Sequence, residues 1–136
     1  MSVHFPIAFL WLAGIAYLVA QFKEIPFLQP LGYPLHTLGV AGCLFAVISG
    51  RIAQAEVQWE GEVADLFQTH ELLAYLSLWW FGLMLLWRYL RRKPKSVESW
   101  SFVLLFLLGL GILSYGASIG GEMVYEWGIG VQAPKS

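Results

Sequence analysis

Apolar residues run along this chain in long blocks separated by short polar breaks, not in the alternation of a soluble fold. Four blocks, residues 5–22, 33–55, 69–90 and 100–120, each match the length of about 17 to 25 residues that a helix needs to cross a hydrocarbon layer about 30 Å thick. In lipid each segment must bond its own backbone, which selects helices over open strands. The expected fold is all-α: an integral membrane four-helix bundle formed by residues 1–136 as a single domain.

The breaks are the informative places. KEIPFLQPLGYP, between the first two blocks, reads as a proline- and glycine-rich turn. RIAQAEVQWEGEVADLFQTH, between the second and third, is the one long polar stretch, and Asp65 with Gln68 three residues later is a candidate capping pair for the third helix. The second block carries Gly39, Gly42, Ala46, Gly50 and Ala53 at spacings of three or four, and the fourth carries Gly109, Gly116 and Gly120. Such small-residue stripes let helices approach closely in membranes. Trp59, Trp100 and Trp127 fall where an interfacial aromatic belt is expected.

Composition supports the membrane reading: 58% of the 136 residues are hydrophobic and 12% charged, against about 25% charged in an ordinary globular domain. The formal net charge of −1 gives no reason to expect nucleic acid as a partner; lipids are the expected surroundings. The sign distribution carries more. Arg88, at the end of the third block, clusters with Arg91, Arg92, Lys93 and Lys95 of the connection to the fourth, and Lys23 lies between the first and second. The positive-inside rule makes that side cytoplasmic and predicts an N-out, C-out, multi-pass membrane protein. No basic n-region or small-residue cleavage site precedes the first block, so that helix is expected to insert and stay. Cys43 is the only cysteine, which rules out a disulfide framework and a CxxCH haem attachment; it is expected to fill a helix interface.

The candidate chemistry lies in the histidines. His4 opens the first block and His70 the third, so two helices of the same direction carry imidazoles at similar depth. Two histidines from two helices of a four-helix bundle suit a non-covalent haem, one on each face of the iron. Gly50, Gly116, Gly120 and Gly121 would make room for the ring and Arg51 would pair with a propionate. His36 starts the second block at the opposite end without a histidine companion; paired with Met84 it is the weaker candidate for a second haem. Zinc lacks a plausible set of four ligands. There is no nucleophile–base pair, phosphate loop or HExxH, so enzyme activity is not expected.

HFPIAFL near the start, His70 opening the third block and GGEMVYEWGIGV near the end together resemble a domain-of-unknown-function family of small bacterial membrane proteins with four spans, an HFPIAL-like start and a GGxLVYxxGxGV-like end. The terminal signature is matched by Gly120, Gly121, Val124, Tyr125, Gly128, Gly130 and Val131. Members often carry an earlier histidine, as in HPxxVHFP, and a histidine where this chain has Trp127; Met123 stands where leucine is usual. The histidine placement is similar to that of haem-binding membrane cytochromes. The expectation is therefore a haem b protein with bis-histidine ligation by His4 and His70, relaying electrons as a subunit of a larger respiratory or photosynthetic redox complex. Two other readings stay open: a haem-free structural or assembly subunit packing through glycine faces and lipid-facing Trp79, Trp80 and Trp87, and a quinone- or solute-binding protein using His4, His70, Glu122 and Tyr125.

Overall fold

The computed structural model describes residues 4–54, 61–91 and 97–129. Glu56, Trp59, Glu60, Arg92, Lys93, Lys95, Gly130 and Val131 lie outside them. The described residues form four helices and no strand: α1 (His4–Phe22), α2 (Leu28–Gln54), α3 (Glu62–Leu90) and α4 (Trp100–Tyr125). All four are long and apolar enough to span a membrane.

Several helices exceed their apolar blocks. α2 starts at Leu28, so part of the proline-rich turn is helix; Pro30 sits in the first turn, where a missing N–H is harmless, and Pro34 is carried inside. α3 begins at Glu62 after Gly61, whose φ of 64° suits glycine, and no side chain caps it. Asp65 therefore lies within the helix and its carbonyl accepts from Thr69 Oγ1, which corrects the expected Asp65–Gln68 cap. α4 begins properly capped, with Ser99 Oγ accepting from the Phe102 N–H at 3.3 Å. It ends through an αL closure: Gly128, at φ 64°, bonds its N–H to Val124 O, and Ile129 N–H reaches back to Met123 O.

α1 packs on α2 and α4, and α3 on α4 and α2, whereas α1 and α3 make no backbone approach among the described residues. The bundle is thus a square with α1 and α3 on one diagonal. The glycine stripes set the seams. A side chain on Gly39 would collide with Leu10 and one on Gly42 with Pro6, which holds α2 against α1. Gly109, Gly116 and Gly120 receive Trp80, Leu73 and His70, which holds α4 against α3. The core is aromatic: Tyr17, Phe81, Phe102 and Phe106 are at most 1% exposed, with neighbouring rings meeting mainly edge to face. Outward positions stay apolar, with Phe45, Trp79, Leu83 and Leu104 all more than half exposed, as a lipid-facing surface requires. Trp80 and Trp87 correct the lipid-facing expectation: both are half-buried, Trp80 Nε1 donating to Leu105 O at 3.0 Å and Trp87 stacking edge-on against Phe102.

The starts of α1 and α3 and the finishes of α2 and α4 share one end of the bundle, here the His70 end. The other end carries Gln29, Arg88 and Glu98.

Candidate functional site

His70 lies two turns into α3 on the seam with α4. Its Nδ1 is 2.9 Å from the Gly116 carbonyl oxygen. A carbonyl only accepts, so Nδ1 carries the hydrogen and Nε2 keeps its lone pair. Gly120, one turn further along α4, provides the seat: a Cβ there would stand 2.9 Å from His70 Cε1. The ring is therefore fixed in rotation and tautomer by two glycines, the arrangement in which a histidine presents Nε2 to a metal.

His4 is the first residue of α1 and is exposed. Its level follows from the α1–α4 seam. Gly14 lies against Phe106 and Leu110; ten residues back along α1 and ten forward along antiparallel α4, His4 stands level with Gly116 and Ile119–Gly120. The two histidines thus share a level, on helices at opposite corners of the square. At that end Pro6, Cys43, Ile119 and Met123 are buried between them.

The other expected residues divide. Gly116 and Gly120 do make room, but Leu73 and His70 take it up, which corrects the idea that these two leave a ring-sized gap. Gly50 and Gly121 border open space, with no atom within 4 Å of where a Cβ would be. Arg51 donates through Nη1 to Glu71 Oε1 at 2.9 Å, its side chain 60% exposed, and borders a shallow open cleft with Gln68, Thr69, Leu72 and Tyr75. Among the described residues, no three His, Cys, Asp or Glu side chains group as a metal site.

A second polar set occupies the opposite half; the sequence named His36 and Arg88 separately and did not join them. His36 is 0% exposed at the bundle centre, its ring between Tyr17, Phe81 and Phe106, with Nε2–H donating to Phe81 O at 3.0 Å. Arg88 reaches from α3 towards the other helices. Its Nε pairs with Glu98 Oε1 at 3.0 Å, its Nη2 donates to Gln29 O at 3.3 Å, and its guanidinium lies over the rings of Tyr17 (4.8 Å) and Tyr33 (5.5 Å). Gln21 Nε2 donates to the Glu98 carbonyl at 2.8 Å. Glu98, just ahead of α4, has its carboxyl pushed above the ordinary range by burial, with Arg88 pulling the other way. The available signal was Arg88 itself, a cation still inside an apolar block and an intramembrane ionisable group by position.

The terminal signature now has a physical content. Gly120 seats His70, Met123 is buried, and Gly128 closes α4.

The profile of a family described as "Predicted membrane protein (DUF2231)" matches residues 1–133. No curated protein and no solved structure matches the chain.

Proposed function

The chain belongs to the DUF2231 family of predicted membrane proteins; from the placement of its histidines we propose that it is a b-type haem-binding membrane protein that relays electrons, as a subunit of a larger redox complex in a bacterial inner membrane. The observation that carries the reading is His70: Nδ1–H is committed to the Gly116 carbonyl and Nε2 is left as a ligand atom. His4, level with it on the diagonal helix, is the partner ligand. Haem, when bound, would supply one-electron chemistry at the iron. His70 would hold its ring orientation through Gly116 and Gly120, and His4, exposed at the first position of α1, would have to turn inwards to meet it. Arg51 would shift from Glu71 to a propionate. Two imidazoles leave no open coordination position, which suits relay and not substrate turnover. The clustering of Lys and Arg supports an orientation with both termini outside the cytoplasm.

A second reading is favoured by one observation, that Leu73 and His70 already fill the spaces at Gly116 and Gly120. On it the chain is a haem-free packing subunit and His70 a helix-to-helix tie. Pigment separates the two: the purified protein carries about one haem per chain on the first reading, and is colourless, though folded, on the second.

A further inference from the structure

The inner polar set around His36 is left over by any haem at the His70 end. Four side chains there have buried atoms without a hydrogen-bond partner: Tyr17 Oη, His36 Nδ1, Arg88 Nη1, and both Oε1 and Nε2 of Gln29. Tyr17 and His36 are 0% exposed. Polar groups buried this far are almost always bonded, to protein or to something held within it. Bilayer surroundings sharpen the requirement, because no bulk solvent reaches the helix centres.

The unpartnered atoms are complementary in kind. His36 Nε2–H is spent on Phe81 O, so Nδ1 can only accept. Tyr17 offers a hydroxyl hydrogen. Arg88 lies over the Tyr17 ring, and its Nη1 offers another hydrogen. Nη2 and Nε of the same guanidinium are held by Gln29 O and Glu98, so it is fixed in place. Glu98 balances its charge, and an anion gains no net positive site here. Phe81 and Phe106 close the apolar side against His36.

We propose that Tyr17, His36 and Arg88 form a second binding site, for a neutral oxygen ligand that accepts from Tyr17 Oη–H and Arg88 Nη1–H and donates to His36 Nδ1. A hydroxylic oxygen has this chemistry, whether it comes from water or from the head of a bilayer-borne quinol. Tyr17 and Arg88 would bind its lone pairs, and His36 would orient its hydrogen. The site is independent of the haem reading, since it uses neither His4 nor His70.

Hydroxyl-radical footprinting of the full chain in nanodiscs of quinone-free lipid tests it, because radicals formed from bound water label neighbouring rings even in a core. With every labelling rate taken relative to that of the free amino acid, the water source is shown if Tyr17 and Phe106 are labelled several-fold faster than Leu10 and Leu110, which are equally buried, and the Tyr17→Phe variant brings Phe106 down to their relative rate. The quinol source is shown if that labelling is low and adding decylubiquinol raises the melting temperature of the parent but not of Tyr17→Phe. Both sources require Tyr17→Phe to melt below the parent once the ligand is present. The proposal is overturned if Tyr17 and Phe106 label no faster than Leu10, decylubiquinol changes nothing, and Tyr17→Phe melts at or above the parent, as removal of a truly unbonded hydroxyl would cause.

Discussion

Adjacent glycines in α4 offer a controlled test of how His70 is held. In Gly120→Ala the new methyl would start 2.9 Å from His70 Cε1 and 3.3 Å from Nδ1. Carbon contacts settle at about 3.5–4.0 Å, so the ring must retreat by roughly 0.6–1 Å. That stretches the 2.9 Å bond to Gly116 O to about 3.5 Å, where little of it remains. Overpacking costs about 1–3 kcal/mol and the lost hydrogen bond about 0.5–1.5 kcal/mol. Gly121→Ala is the control, because its Cβ meets nothing within 4 Å. The gain in helix propensity from glycine to alanine is common to both and cancels in the comparison. Gly120→Ala should therefore unfold about 2–4 kcal/mol more easily than Gly121→Ala, in denaturant titrations followed by far-UV circular dichroism in one detergent. Haem content should fall in the first variant. Equal stability of the two variants would refute the seating of His70 on Gly120.

Further outcomes follow from the other half of the bundle and from the charges. His36→Ala opens a hole among Tyr17, Phe81 and Phe106 and should lower stability by about 2–4 kcal/mol without changing a haem spectrum, since His36 stands apart from the His70 end; a changed spectrum would move the ligand. Arg88→Met removes the partner of a half-buried carboxylate and should cost about 1–3 kcal/mol near neutral pH, measured by the same unfolding titration. The sign with pH is set by Glu98: its folded carboxyl is already raised by burial, and without Arg88 it is raised further. The folded state then holds the proton more firmly than the unfolded one, so stability is fullest below the ordinary carboxylate range and falls as pH climbs through the raised value. The variant should thus lose more stability than the parent as pH rises above the ordinary carboxylate range, and a parallel pair of pH curves would contradict this. For topology, a cysteine at Ser96, outside the described residues, should resist a membrane-impermeant thiol reagent in intact cells, while one at Ser136 reacts; the reverse pattern inverts the orientation.

The number and type of the helices were legible because lipid demands continuous apolar runs, and nothing else in the chain competes with that signal. Their ends were less so. Leu28–Pro34 continues α2 through two prolines and Glu62–Gln68 extends α3 through a polar stretch, because these turns can satisfy their backbone outside the apolar blocks. The small-residue spacing foretold close seams at Gly39, Gly42, Gly109, Gly116 and Gly120, yet not which side chain enters each space, since hydropathy does not fix helix rotation. For that reason the matched level of His4 and His70 was readable, and the Gly116 and Gly120 contacts of His70 were not. His36 looked isolated because its partners, Tyr17, Phe81 and Arg88, come from two other helices at remote positions and are joined only by packing.

The most direct test of the central claim is the reduced-minus-oxidised visible spectrum of the purified protein, expressed with ample haem, beside its His4→Ala and His70→Ala variants. Ligation by His4 and His70 would give the sharp bands of a low-spin, six-coordinate b-type haem in the parent, and their conversion to a high-spin form or loss in each folded variant. A folded, colourless parent, or an unaltered low-spin spectrum in both variants, would contradict it.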